Sequence, residues 1–156
     1  MKVIHRLFAI CFLSLIVMSC QDSNDNILMN DVKNQWNKND AKSFDFNIDD
    51  AHNQKNIIFI VRNNADYPYS NLRLITELKH NQKVISTDTL NYILAKPNGE
   101  WLGSGFGDTK EILFQYKLGY KFPSNGKYSF KVVQAMRQNT LIGIEDLGIN
   151  IQNIKP

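Results

Sequence analysis

Cysteine is scarce in this chain, which has two among 156 residues. Cys11 and Cys20 both lie near the N-terminus, so the sequence after residue 20 has no cysteine at all. This absence excludes a disulfide framework and a cysteine-based metal site in any folded domain that follows. Core packing must therefore stabilise that domain without covalent cross-links.

Recognisable catalytic motifs are also missing. Only His52 and His80 remain after the first 20 residues, and both lie in polar turn contexts. Neither has a nearby carboxylate and nucleophile in a recognisable catalytic arrangement. The chain has no Gly-x-Ser-x-Gly elbow, no His-Glu-x-x-His zinc motif and no P-loop. The pair Asp49-Asp50 does not continue into the alternating oxygen ligands of a calcium loop. We therefore predict that the protein is not an enzyme and uses no metal or small-molecule cofactor.

An excess of charge of one sign is absent as well. Without residues 1–19 the chain loses Lys2 and Arg6, which leaves 16 basic residues against 15 acidic ones. Both signs are scattered along the sequence, so there is no basic patch of the kind that binds nucleic acid. After the N-terminus, no apolar run is long enough to form a transmembrane helix.

What is present at the N-terminus is a short apolar run with basic residues before it. Lys2 and Arg6 precede an apolar stretch from Leu7 to Met18. A bilayer-spanning helix needs about 20 apolar residues, so this stretch is too short to cross and is typical of a secretory signal peptide. The alternative is a buried N-terminal helix.

The end of that run predicts a lipid anchor. Val17-Met18-Ser19-Cys20 resembles the bacterial lipobox, so we predict that residues 1–19 are removed and that Cys20 carries a covalent lipid. Acyl chains on Cys20 would then hold the protein at the membrane. In the alternative, the cysteine follows an ordinary signal peptide by chance. Residues 21–26 contain no apolar side chain, and we predict a flexible tether over residues 20–34.

From residue 42 onward, short apolar alternations are separated by polar turns. Phe44, Phe46 and Ile48 share one face with period two, which predicts a half-buried strand. Similar segments recur at intervals of roughly 10–14 residues without a long amphipathic helix. We therefore predict one all-β domain over residues 35–156, a two-sheet antiparallel β-sandwich with immunoglobulin-like or jelly-roll-like connections. The other predicted strands cover residues 56–61, 72–78, 84–94, 111–117, 128–132 and 144–154, with a possible bulge at Gly148.

The segment least like scaffold is the loop of residues 99–108, which holds four of the eight glycines in the chain. These glycines bracket Trp101 and Phe106, and Asp108 ends the loop. Because a glycine-rich loop loses much entropy on ordering, we expect its aromatic side chains to bury. Either they plug the open end of the sandwich, or they bind a partner.

A second aromatic cluster leaves the same two alternatives open. Tyr67 and Tyr69 flank Pro68 in a turn-rich connection. Their rings either lie over the edge of the sandwich or stand outward as binding residues.

Two long motifs of unusual composition lie within residues 35–148. They are Asp66-Tyr67-Pro68-Tyr69-Ser70-Asn71-Leu72 and Pro97-Asn98-Gly99-Glu100-Trp101-Leu102-Gly103. Shorter motifs accompany them: Phe44-Asp45-Phe46, Val61-Arg62-Asn63, Gly105-Phe106-Gly107-Asp108 and Gln134-Ala135-Met136-Arg137. Together these motifs resemble the gliding motility lipoprotein GldH family of Bacteroidetes.

The resemblance implies a cell-envelope lipoprotein, anchored in the outer membrane and facing the periplasm. It implies a role in gliding over surfaces, with other envelope lipoproteins of the machinery linked to type IX secretion as partners. Our first hypothesis for the molecular role is a non-catalytic assembly or scaffolding component of that machinery. The alternative is a periplasmic or surface glycan-binding module, in which Trp101, Tyr67 and Tyr69 stack on sugar rings.

Overall fold

The computed structural model describes residues 26–154, which form ten strands and no helix. The predicted signal peptide and Cys20 lie outside the described residues. Across the described range, no helix has the length and apolar character needed to cross a membrane. The strands are β1 (Asn26–Asp31), β2 (Gln35–Asn37), β3 (Lys42–Ile48), β4 (Lys55–Asn63), β5 (Asn71–His80), β6 (Lys83–Ile93), β7 (Lys110–Tyr120), β8 (Gly126–Gln134), β9 (Thr140–Ile142) and β10 (Ile144–Asn153).

These strands form two antiparallel four-stranded sheets and a small ribbon. Sheet 1 has the order β1-β10-β4-β7, sheet 2 has the order β3-β8-β5-β6, and β2 pairs with β9 in the ribbon. The apolar faces of the two sheets enclose a single core. The predicted all-β sandwich is thus confirmed.

Alternation of apolar and polar residues explains the strands of sheet 2. In β3 the side chains of Phe44, Phe46 and Ile48 are buried and those between them are exposed. In sheet 1, by contrast, the central strand β4 is apolar on both faces. Ile57, Phe59 and Val61 face the core, and Ile60 on the other face is also buried. A continuous apolar run of this kind is typical of a strand whose two faces are both shielded from water.

Aromatic rings join the two sheets across the core. Phe59 of sheet 1 meets Phe130 of sheet 2 edge to face, with ring centroids 6.0 Å apart. Phe46 stacks beside Phe130 at 5.9 Å and beside Tyr128 at the same distance. Full burial of a phenylalanine side chain contributes about 2–3 kcal/mol, so these rings supply much of the stability in a domain without disulfides.

The folded domain begins earlier than the sequence predicted. Residues 26–34, assigned to the tether, include β1, which pairs along its whole length with β10. Leu28 packs against the core, and Val32 is buried. Backbone hydrogen bonds to β10 order a segment whose apolar residues, Ile27 to Met29, are consecutive and show no alternation that would indicate a strand. The rest of the predicted tether, residues 20–25, lies outside the described residues.

The bulge in the last strand is also not where the sequence placed it. β10 pairs with β4 without interruption at Gly148, whereas the register shifts between Ile144 and Asp146. The bulged residue is therefore Glu145. Gly148 instead leaves room for Met29 of β1, because a Cβ at this position would lie 2.2 Å from the methionine sulfur.

The strand order places the start of the folded domain and the candidate loops at opposite ends. Asn26 pairs with Ile151, which lies beside the first residues of β4. We call this end of the sandwich the proximal end, and it also contains the turns of residues 49–54, 81–82 and 121–125. The connections of residues 64–70 and 94–109 lie at the opposite end, which we call the distal end. The nine residues of β4 run between the two ends and span about 30 Å at ~3.3 Å per residue.

Candidate functional site

The β6–β7 loop, residues 94–109, is ordered by two successive backbone turns at the distal end. In the first turn, Ala95 pairs with Trp101 as an isolated bridge. The backbone N–H of Leu102 donates to the carbonyl of Leu94 at 2.8 Å. The loop thus begins as a short hairpin that carries Trp101 back toward the sandwich.

The second turn carries Phe106 at its tip. Ser104 and Glu111 exchange two backbone hydrogen bonds of 3.0 and 2.8 Å. A Cβ at Gly105 would lie 2.3 Å from the carbonyl oxygen of Thr109, and Gly107 has a φ of +68°. Both glycines therefore have a steric reason to be there. The backbone orders this turn without burial of the aromatic side chain that it holds.

Three predicted aromatic residues meet behind the loop. Tyr67 is only 2% exposed, and its hydroxyl donates to the carbonyl of Asn71 at 2.8 Å. Its ring lies edge to face with that of Tyr69 at 5.6 Å and 6.5 Å from that of Trp101. Burial raises the pKa of Tyr67. The two candidate segments thus pack against each other and against the core through Trp101, Tyr67 and Tyr69.

Phe106 and Asp108 are placed differently from that cluster. The side chain of Phe106 is 102% exposed, the largest exposure of any large hydrophobic residue in the described range. Asp108 is exposed beside it. Burying a phenylalanine is worth about 2–3 kcal/mol, so a fully exposed one on an ordered turn marks the tip of the loop as a candidate contact site.

Further exposed aliphatic side chains at the distal end were not predicted from the sequence. Leu102 is 46% exposed, Ile93 49% and Ile142 52%. Ile93 lies in a segment whose apolar residues alternate, and Leu102 lies near glycines. Neither pattern distinguishes outward-facing from inward-facing positions. Ile142 lies in β9, a strand too short to be recognised by periodicity.

A polar network holds the loop against the rest of the distal end. The carboxylate of Glu145 accepts hydrogen bonds from Asn64 Nδ2 at 3.0 Å and from Thr109 Oγ1 at 2.7 Å. Asn64 Nδ2 also lies 3.2 Å from Asn34 Oδ1. Because the bulge re-aims Glu145 out of the strand pattern, one side chain connects the end of the loop with the turn after β4.

An ion cluster lies at the base of the loop, on the outer face of sheet 1. Arg62 Nε contacts Glu111 Oε2 at 2.7 Å, and Arg62 Nη1 contacts Asp146 Oδ2 at 3.4 Å. The hydrogen bond to Glu111 raises the pKa of Arg62. Since these side chains are partly exposed, the pairs orient neighbouring strands more than they stabilise the fold.

The distal end is suited to contact with another apolar surface. It presents exposed aromatic and aliphatic side chains on a loop that the backbone and Glu145 hold in place. Within residues 26–154, no group of three or more His, Cys, Asp or Glu side chains could hold a metal ion.

Comparison with known proteins points to one family. The family model described as GldH lipoprotein matches residues 28–151. The gliding motility lipoprotein GldH homolog of Christiangramia forsetii is 44% identical over 125 residues, which are 76% of this chain and 77% of that protein. The gliding motility lipoprotein GldH of Flavobacterium johnsoniae is 32% identical over 146 residues, which are 89% and 91% of the two chains.

Solved structures with a similar arrangement are much more distant. Chicken MD-1 complexed with lipid IVa has a TM-score of 0.39 and 14% identity, covering 87% of this chain and 95% of that one. Dimeric latent PorU from Porphyromonas gingivalis has a TM-score of 0.36 and 9% identity, covering 83% and 13%. These scores are too low to support any argument about function.

The family match extends from β1 into β10, and it includes the motifs around Tyr67, Trp101 and Phe106. The two relatives cover most of both chains at identities of 44% and 32%. This chain therefore belongs to the GldH lipoprotein family, whose members named above are gliding motility lipoproteins.

Proposed function

We propose that this protein is a non-catalytic assembly component of the gliding machinery linked to type IX secretion. A lipid on Cys20 anchors it in the outer membrane, with the domain in the periplasm. The distal end then docks to another envelope lipoprotein of the same machinery. The observation that carries this proposal is the full exposure of Phe106 on an ordered turn, at the end of the sandwich opposite Asn26.

The geometry of the loop favours docking energetically. Because backbone hydrogen bonds already order the Phe106 turn, binding costs little further loss of backbone entropy. The buried ring then contributes about 2–3 kcal/mol at the centre of the contact, with Leu102 and Asp108 nearby in sequence to extend it. Anchoring both partners to one membrane raises their effective concentration, so a modest interface is sufficient.

The burial of Tyr67 supports protein contact over sugar stacking. A stacking platform needs an open aromatic face, whereas Tyr67 is 2% exposed and Trp101 is half-buried against the core. Among the predicted aromatic residues of the distal end, Phe106 is the one left fully exposed, and its ring has no polar group to hydrogen-bond sugar hydroxyls.

Gliding of cells whose only copy of the gene carries Phe106→Ala tests this function. We expect gliding speed to fall sharply while the amount of protein in the envelope stays the same. Leu113→Ala is the matched control, because Leu113 is also exposed (59%) but lies on the outer face of sheet 1. Normal gliding with Phe106→Ala would contradict a docking role for the loop.

A further inference from the structure

The proximal end combines exposed apolar and cationic side chains. Leu118 is 58% exposed, Ile27 54% and Ile154 44%. Three lysines at the same end are exposed, and none forms an ion pair with another residue in the range 26–154. They are Lys83, Lys121 and Lys127. An apolar surface with lysines around it is typical of segments that lie at a membrane interface.

The pairing of the strands brings these side chains to one end. Asn26 pairs with Ile151, Ile151 with Ile57, and Ile57 with Lys117, so Ile27 and Leu118 lie at opposite edges of the same end of sheet 1. Ile154 follows the last residue of β10.

The lysines lie at the same end of the sandwich. Lys121 follows β7 directly, and Lys83 begins β6. The backbone carbonyl of Lys127 accepts a hydrogen bond from the N–H of Asn81 in the β5–β6 hairpin.

One carboxylate at this end, that of Asp50, is neutralised by an ion pair within the domain. The carboxylate of Asp50 contacts Lys55 Nζ at 2.6 Å, and this hydrogen bond lowers the pKa of Asp50. Lys55 Nζ also donates to Asn153 Oδ1 at 2.6 Å. Asp45 and Asp49 are exposed among the described carboxylates here, and Asp45 lies on the same surface as Lys127 and Asn81. The three lysines without ion pairs therefore leave the proximal end with a small excess of positive charge.

The length of chain before β1 places this end close to the lipid. Six residue steps separate Cys20 from Asn26, and a fully extended chain covers at most ~3.6 Å per residue. With Cys20 lipidated, Asn26 therefore lies within about 22 Å of the membrane surface. The distal end lies about 30 Å further along β4.

We propose that the proximal end is a membrane-contact surface for anionic phospholipid headgroups of the bilayer that holds the Cys20 lipid. This inference depends on the anchor in the proposed function. Lys83, Lys121 and Lys127 contact the headgroups, and Ile27, Leu118 and Ile154 lie toward the interface. Each lysine near an anionic bilayer strengthens the contact about fivefold at moderate salt. The contact holds the sandwich upright and turns the Phe106 loop away from the membrane.

Distance to the bilayer can be measured on the full-length lipoprotein. Acylation of Cys20 and removal of residues 1–19 would leave no free thiol, so one introduced cysteine can be spin-labelled selectively. The two variants are Lys121→Cys at the proximal end and Asp108→Cys at the distal end, both at exposed positions. Each is purified in detergent and reconstituted into vesicles of phosphatidylethanolamine and phosphatidylglycerol that contain a nickel-chelating lipid.

We expect nickel to enhance relaxation of the label at position 121 at least tenfold more than at position 108. Equal enhancement, or a larger effect at position 108, would overturn the proposal. Broadening from label–label contacts at position 121 without a nickel effect would also overturn it, because a second copy would then cover this end. A protein that does not enter the vesicles would contradict the Cys20 anchor itself, which separates failure of the proposed function from failure of this inference.

The role of charge is tested with a matched pair of double variants. Lys83→Glu with Lys127→Glu should reduce the nickel effect at position 121 several-fold in vesicles with phosphatidylglycerol and leave it unchanged in neutral vesicles. Lys33→Glu with Lys38→Glu changes two exposed lysines near the distal end and should have no effect. Equal responses to the two double variants would contradict recognition of anionic lipid by the proximal end.

Discussion

Alanine substitutions at Trp101 and Phe106 should separate stability from binding. Trp101 is half-buried, packs against the core and lies 6.5 Å from Tyr67. Truncating a fully buried tryptophan costs 3–5 kcal/mol, so we expect Trp101→Ala to lower the free energy of unfolding by about 2 kcal/mol. Phe106 is fully exposed, and Phe106→Ala should change that free energy by less than about 0.5 kcal/mol.

The two effects are read by different assays. For a domain of this size, a loss of about 2 kcal/mol lowers the melting temperature by roughly 8 °C, whereas Phe106→Ala should leave it unchanged. Co-purification of gliding-machinery lipoproteins from solubilised envelopes reports the second effect. If Phe106 is a hot spot worth about 2 kcal/mol, its truncation weakens the complex roughly 30-fold.

Leu113→Ala is the control for both assays, because it removes a comparably exposed apolar side chain from another face. Full retention of the complex by Phe106→Ala, with wild-type melting, would refute the reasoning for the distal loop. A large fall in melting temperature for Phe106→Ala would show that the ring is part of the core.

Three further substitutions test separate parts of the structure. Cys20→Ser should move the protein from the membrane fraction to the soluble fraction after cell lysis, and a variant that stays in the membrane would contradict the anchor. Tyr67→Phe removes the hydroxyl that donates to the carbonyl of Asn71 at the start of β5 and should lower the free energy of unfolding by about 1–2 kcal/mol. Urea titration measures the loss, and an unchanged midpoint would mean that the hydrogen bond contributes nothing. A hydrogen bond from Tyr116 lowers the pKa of Asp88, so ionised Asp88 stabilises the fold above its unfolded pKa of about 3.9, and this contribution is lost as pH falls through the folded value. Asp88→Asn should therefore lose less stability than the wild type on acidification below about pH 4, and parallel melting curves against pH would argue against the linkage.

Periodicity was sufficient to predict the strands of the inner core. Phe44, Phe46 and Ile48 alternate with polar residues because one face of β3 is buried and the other is open. The apolar run of residues 56–61 was predicted as a strand, and the structure pairs β4 on both sides. Where burial alternates or is continuous, residue type reports position directly.

The strands missed from the sequence are those ordered by pairing. β1 is held by hydrogen bonds to β10, and only Leu28 of its apolar residues packs against the core. β2 and β9 have three residues each, with Trp36 and Leu141 buried between exposed neighbours. Such short segments have no period to detect, because their stability comes from contacts that are distant in the sequence.

The sequence predicted one set of candidate site residues, whereas in the structure some of them pack inward and others are exposed. Tyr67 stands beside a proline in a polar turn, and its burial depends on an acceptor, the carbonyl of Asn71, that only the folded turn provides. Phe106 lies among glycines like Trp101, yet one ring packs inward and the other stays exposed. The two successive backbone turns of the loop determine which ring packs inward and which stays exposed. The hydrogen bonds of those turns cannot be predicted from composition.

The central claim is that the distal loop contacts a protein partner while the chain is anchored at its other end. A photo-crosslinking amino acid placed at position 106 in intact cells, followed by mass spectrometry, tests this claim most directly. We predict cross-links to a lipoprotein of the gliding machinery from position 106 and none to that protein from position 113. Cross-links from position 106 to lipid alone, or equal cross-links from both positions, would contradict the account.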